Sequence, residues 1–281
     1  MKIGITSGKI AHLGKERYEK IKKFGFDAID FTMMDTCSPI YTCREEELPA
    51  LIEAEKALIT KSGIEISQTH GPWTYPTKDG TEEERAVALS LMRRAVRATA
   101  LLGCRYMVVH PVFPFGTHEP AEVADKTFAI NVAFFRALMP TAREHGVTVC
   151  LENMPFHHYA LSHPKDILRV IAAVDDPHFA MCLDTGHVGV FPALDLYEEM
   201  LRVKDAVRVF HIHDNDAAHD LHQLPLFGKM DFAPFARAWR ELYADATFSF
   251  ETAPPRALSQ ELFEQMLSLM PALAREILEK S

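Results

Sequence analysis

The chain has 281 residues, which suits one large domain or two small ones, with ample core. Hydrophobic residues make up 48% and charged residues 25%, the balance of a soluble globular protein. The net charge of −9, from 30 basic and 39 acidic residues, disfavours broad nucleic-acid binding, which leans on Lys and Arg facing phosphates.

The five cysteines, Cys37, Cys43, Cys104, Cys150 and Cys182, are odd in number and form no CxxC pair. Reduced thiols in a cytoplasmic protein are the expectation. The opening stretch Met1-Lys-Ile-Gly-Ile-Thr-Ser-Gly8 lacks the long apolar region of a signal peptide. No apolar run reaches the ~18 residues of a membrane span, so no membrane partner is expected.

Lys2–Ser7 alternates and reads as a strand. Lys15–Phe24 reads as a helix stopped by Gly25, and Phe26–Phe31 as a second strand. Thr32–Thr42 carries Pro39 and reads as a loop. Arg44–Ser62 is a helical pattern closed by Gly63, followed by strand three, Ile64–His70. Thr81-x-x-Glu84 is a capping-box pattern opening a helix to Leu102. Arg105–His110 is strand four. Glu119–His145 is helical to Gly146, with a kink or split expected at Pro140. Val147–Glu152 is strand five and Pro164–Val174 a short helix. Phe179-Ala-Met-Cys-Leu183 reads as strand six, running into Asp184, with Thr185 and Gly186 breaking it before His187. Leu194–Lys204 is helical, Val207–His213 is strand seven, Phe232–Tyr243 is helical, Thr247–Glu251 is strand eight, and Leu258–Glu279 is a closing helix.

Eight strand-then-helix units follow one another over residues 1–281 without a linker or low-complexity tract. Alternation of this kind implies a parallel sheet. Units of about 35 residues fit a single (β/α)8 TIM barrel of the α/β class. A doubly wound open sheet competes, but it usually shows a Gly-rich phosphate turn after an early strand, and none is present.

His70, His110, Glu152, Asp184, His213 and Glu251 fall at strand C-termini, with successive gaps of 40, 42, 32, 29 and 38 residues. Each gap is about one unit, and in such a barrel these strand ends share one mouth. Alternation turns Glu152, Cys150 and Thr148 to one face, with Leu151, Val149 and Val147 on the other. Glu251, Ser249 and Thr247 behave alike, as do His213, His211 and Val209. A His at a strand end is often only hydrogen-bonded in a loop. A carboxylate closing an apolar strand is costly to bury unless paired or metal-bound. His12, beyond strand one, is a candidate substrate contact. Behind strand seven, His211-Ile-His-Asp-Asn-Asp-Ala-Ala-His-Asp-Leu-His222 offers Asp220 and His222 as further ligands or as partners for substrate hydroxyls.

At Val108-Val-His-Pro111, Cys150-Leu-Glu-Asn-Met-Pro155, Cys182-Leu-Asp-Thr-Gly-His187, Phe210-His-Ile-His-Asp-Asn215, Asp220-x-His222 and Phe250-Glu251 the chain resembles the xylose isomerase-like TIM-barrel superfamily, the sugar-phosphate isomerase/epimerase group. The resemblance spans essentially the whole chain. It implies one divalent metal held by Glu152, Asp184, His213 and Glu251, with His187 on the sugar and Glu152 and Glu251 moving the proton. It also implies a small-molecule sugar or sugar phosphate as substrate and proton abstraction through a metal-stabilised enediolate. Oxygen-rich ligation with one imidazole suits Mn²⁺, Mg²⁺ or Co²⁺, with Zn²⁺ possible. Helix faces on such barrels often dimerise, so a homo-oligomer is allowed.

The same superfamily contains endonuclease IV-type phosphodiesterases with three zinc ions. Their nine-ligand pattern traces onto His70, His110, Glu152, Asp184, His187, His213, Asp220, His222 and Glu251. Two departures weigh against them: Gly71-Pro-Trp-Thr74 follows the strand-three His, and Ala217-Ala218 follows Asn215-Asp216 where a Lys or Arg belongs. A metal-dependent dehydratase would start with the same proton abstraction. A non-catalytic binding barrel should have lost an acid or a ligand, and all four are kept.

Overall fold

Short apolar strands alternate with helices whose apolar stripes must be covered, and the chain meets both needs by curling its sheet into a cylinder. The computed structural model describes residues 1–280. The strands are β1 (Lys2–Thr6), β2 (Ala28–Thr32), β3 (Glu65–His70), β4 (Tyr106–Val109), β5 (Thr148–Glu152), β6 (Phe179–Asp184), β7 (Val207–His211) and β8 (Thr247–Phe250). The outer helices are α1 (Arg17–Phe24), α2 (Leu48–Ser62), α3 (Glu82–Leu102), α4 (Ala124–His145), α5 (Pro164–Val174), α6 (Leu196–Val203), α7 (Phe232–Leu242) and α8 (Gln260–Lys280).

All neighbouring strands pair in parallel in the order β7-β6-β5-β4-β3-β2-β1-β8. The remaining seam, between β7 and β8, is laced just beyond the strands. There the Ile212 N–H donates to the Ser249 carbonyl at 2.9 Å and the Glu251 N–H to the Ile212 carbonyl at 3.1 Å. The result is a single (β/α)8 barrel, as the unit spacing implied, and the open sheet is excluded.

Alternation sorts the side chains as expected. Val149, Leu151, Phe210, Ile212, Phe248 and Phe250 turn outward into the main core with the helices. Val108, Cys150, Ala180, Cys182 and Val209 form a small separate cluster inside the barrel. On the outside, Trp239 of α7 packs on Phe210 and Phe248 with ring centroids 4.9 and 5.7 Å apart. Each such aromatic contributes about 2–3 kcal/mol by burial alone. All five cysteines are free. No helix among the described residues is long and apolar enough to cross a membrane.

Several boundaries differ from expectation. The loop expected over Thr32–Thr42 contains a helical turn, Pro39–Thr42, with Pro39 in the first-turn position that tolerates a missing N–H. α2 starts at Leu48 rather than Arg44, because the Glu47 carboxylate folds back onto the Arg44 N–H (3.0 Å) and makes a turn before the helix. α4 starts at Ala124 after a 3-10 turn at Ala121–Val123, and Pro140 does not split it. Burial of Phe135, Leu138, Met139 and Ala142 around Pro140 outweighs one lost backbone donor. β7 stops at His211 instead of His213, since Ile212 already bridges to Phe250 across the seam. The helix stops at Gly25 and Gly103 adopt left-handed conformations, φ 99° and 78°.

The capping box forms in full: Thr81 Oγ1 accepts the Glu84 N–H at 3.1 Å, and Glu84 Oε2 accepts the Thr81 N–H at 3.0 Å. Thr81→Ala is expected to lower the unfolding free energy by ~1 kcal/mol in denaturant titration. An unchanged midpoint would show that the box adds nothing to α3.

Candidate active site at the barrel mouth

Strand ends deliver the candidate residues to one rim. His70 closes β3, His110 follows β4, Glu152 closes β5, Asp184 closes β6, His211 closes β7, and Glu251 follows β8. His70, Glu152, Asp184, His211 and His213 are each at most 2% exposed, so their charges are answered by one another rather than by water.

Glu152 is the hub. Its Oε1 lies 2.8 Å from His211 Nδ1, and its Oε2 lies 3.0 Å from His110 Nε2 and 3.6 Å from His70 Nε2. His211 Nε2 is in turn 2.8 Å from Asp30 Oδ2, and Gln68 Nε2 donates to the same oxygen at 3.3 Å. Asp30 escaped sequence reasoning. Its one signal was an acid in the middle of the apolar strand Ala28-Ile-Asp-Phe-Thr32.

The other half is built by two turns. Thr185 and Gly186 end β6, as expected, and begin a helical turn, Thr185–Gly189, in which Asp184 Oδ1 accepts the His187 N–H at 2.7 Å. Asn153 grips the Asp184 backbone at both N–H (2.9 Å) and carbonyl (3.0 Å). A Cβ on Gly186 would sit 2.0 Å from His213 Cε1, so only glycine lets the ring approach. After β7, the Asp214 carboxylate accepts the N–H groups of Asn215, Gly228 and Met230 at 2.7, 2.9 and 3.1 Å. That fold of the loop brings Asp220 to 3.5 Å from His187, 3.6 Å from His213 and 3.3 Å from His222. His12 does not join them; its ring packs edge-on against Phe263 of α8 at 4.4 Å.

The histidines are oriented in two ways. His70, His187, His213 and His222 each turn Nδ1–H to a backbone carbonyl, of Gly71, Asn153, Asp214 and Glu251, at 3.0, 2.7, 3.4 and 2.9 Å. This fixes the tautomer and leaves Nε2 facing the site, the arrangement of metal-ligating imidazoles. His211 is different, with both nitrogens engaged by carboxylates. Potential ligand atoms fall into groups within 4.8 Å: His70, His110 and Glu152; Glu152, Asp184, His211 and Glu251; and His187, His213, Asp220 and His222. His213 therefore groups away from Glu152 and Glu251, although its Nε2 is 3.2 Å from Asp184 Oδ1. His70 Nε2, Glu152 Oε2, Asp184 Oδ2, His213 Nε2 and Glu251 Oε2 are buried without a well-directed hydrogen bond. Buried polar atoms seldom stay so unless something else binds them, and this donor set fits a divalent cation.

The two outer acids are driven apart. Burial works against ionisation of Glu152, but His211, His110 and His70 outweigh it and hold the carboxyl well below its usual range. Burial and the Glu152 charge push Glu251 up, against the pull of His211. Burial also opposes ionisation of Asp184, yet His187 and His213 hold it down at about 2. Burial drops His110 to about 4.

The fold and site define a (β/α)8 barrel with a buried acid–imidazole centre at the C-terminal ends of its strands. The chain belongs to the xylose isomerase-like TIM barrel family, whose model matches residues 18–269. It is 23% identical over 215 residues to a fructoselysine 3-epimerase of Shigella flexneri, covering 73% of this chain and 74% of that protein. It is 24% identical over 216 residues to a probable endonuclease 4 of Bacillus velezensis, covering 71% and 70%. Among solved structures, a D-tagatose 3-epimerase-like protein superposes with a TM-score of 0.77 at 19% identity, covering 100% of this chain and 98% of the other, a likeness of fold.

Burial opposes the charge on His222, but the hydrogen bond to Asp220 and the field of Glu251 hold it up at about 9, from 6.5 outside the fold. A raised value stabilises the fold fully below pH 6.5 and loses that contribution as pH rises through about 9. In chelator-stripped protein the thermal midpoint is expected to fall across that window. His222→Gln should flatten the slope, and an identical slope in that variant would refute the pairing.

Proposed function

We propose that the protein is a divalent-metal-dependent isomerase or epimerase acting on a sugar or sugar phosphate. The observation that carries this reading is the pair Glu152 and Glu251. The two acids, from the end of β5 and just beyond β8, converge on His211 Nδ1, Glu152 Oε1 at 2.8 Å and Glu251 Oε2 at 3.4 Å. Two carboxylates at one buried centre can serve as base and acid.

Glu152, Asp184, His213 and Glu251 are the proposed metal ligands. His213 is chosen over His211 because its Nε2 has no hydrogen bond, whereas both His211 nitrogens are taken by Asp30 and Glu152. When bound, the ion supplies Lewis-acid polarisation of the substrate's carbonyl and hydroxyl oxygens. Glu152, held ionised, removes the proton from the carbon beside the carbonyl. Glu251 returns one from the other side. His187, with Nδ1–H fixed to the Asn153 carbonyl, offers Nε2 to a substrate hydroxyl. Free thiols suit a reducing cytoplasm.

Glu152→Gln and Glu251→Gln are each expected to cut turnover by ~10²-fold or more while the barrel stays folded by circular dichroism. The assay is solvent-deuterium incorporation and product analysis over a panel of ketoses and ketose phosphates. Near-normal turnover in either variant removes the proton-transfer role. Release of water from the substrate would point to a dehydratase.

One observation favours a second reading. The mouth holds more ligand-type groups than one ion needs, including His70, His110, His187, Asp220 and His222 of the nine-ligand three-zinc pattern, and a probable endonuclease 4 is among the relatives. Elemental analysis of purified protein separates the two. About one metal per chain is the outcome expected here; three zincs, with nicking of duplex DNA at an abasic site, would hand the protein to the phosphodiesterase class.

A further inference from the structure

The mouth pocket, about 220 Å³, is lined by His110, His187, Asp220, His222 and Glu251. Beside it lies a larger cavity of about 480 Å³ that the proton chemistry does not use. Trp73 and His110 line both, so these rings, whose centroids are 4.7 Å apart, border the two spaces.

The side cavity is different in character. Val87, Ala88, Leu91 and Met92 of α3, with Val112 and Phe134 opposite, make an aliphatic and aromatic wall. Val87 is 61% exposed, an apolar side chain left facing solvent at a helix surface. Trp73 carries a buried indole N–H with no hydrogen-bond partner. The charged residues on the cavity wall are Asp79, Glu83 and Glu84 against Lys78 alone, an edge that repels phosphate or carboxylate. Volume and lining match a small-molecule subsite.

We infer that the substrate is a sugar carrying an uncharged apolar substituent, aryl or branched alkyl, with the sugar in the mouth and the substituent in the side cavity. The inference rests on the sugar reading above and narrows it. The apolar arm sets specificity and anchors the sugar ring. A terminal phosphate on that arm is excluded by the acidic edge.

Phenyl β-D-glucopyranoside and methyl β-D-glucopyranoside serve as probes with the purified, metal-containing protein. Saturation-transfer NMR is expected to reach the phenyl protons, and calorimetry to give the phenyl glycoside about tenfold tighter binding or more, the worth of burying one aromatic ring. Ala88→Trp fills the cavity and should bring the two affinities together. If its thermal melt shows that it does not fold, Val87→Asp, at an exposed position, tests the same wall. Absence of saturation transfer, equal affinities in the unmodified protein, or a preference untouched by the folded variant overturns the inference. These are binding readouts. A persisting phenyl preference without isomerase turnover sinks the proposed chemistry alone, and turnover without that preference sinks this inference alone.

Discussion

A carboxylate sealed from water stays ionised only if something answers its charge, and the mouth of this barrel is arranged around that demand at Glu152. Leaving such a charge unanswered costs several kcal/mol or more. Three imidazoles from three strands close around it, and one of them, His211, is clamped from behind by Asp30. The clamp reaches across the barrel interior, since β2 and β7 stand three joints apart around the ring. Asp30, His211 and Glu152 thus form a fixed axis of alternating charge through the upper interior. Asp30 and His211 are held within this axis, while Glu152 and the remaining ligand-type groups face the site.

That division explains two orientations in one set of histidines. His211 has spent both nitrogens on carboxylates and acts as a structural cation. His70, His187, His213 and His222 have spent Nδ1 on the backbone and keep Nε2 for the site. The support lies one layer further out. Asn153 holds the Asp184 backbone, and Asp214 folds the loop that carries Asp220 and His222.

The barrel and its rim were legible because strand ends recur once per unit, and period-two alternation says which face each side chain takes. Pro164–Val174 matched at both ends because a proline starts it and the apolar spacing runs out at Val174. What stayed hidden depends on distance. Asp30 meets His211 across 181 residues, and no local pattern announces that bond. Alternation puts His211 and His213 on one face, so it cannot tell the structural cation from the open ligand; only their hydrogen bonds do. The side cavity was equally unreadable, being assembled from a loop and the flanks of two helices with no shared period. Pro140 does not split its helix, because the burial around it outweighs the lost donor.

The seam between β7 and β8 has a consequence of its own. Seven joints of the cylinder are stitched along their strands, while this one is caught by a few backbone bonds around Ile212. His213, Asp220 and His222 stand on one lip and Glu251 on the other, with the His222 ring already fastened to the Glu251 carbonyl. An ion seated between them would rivet this joint shut. Loading the centre and securing the cylinder would then be one event, and an empty centre would leave the wall held only by those few bonds beside Glu251.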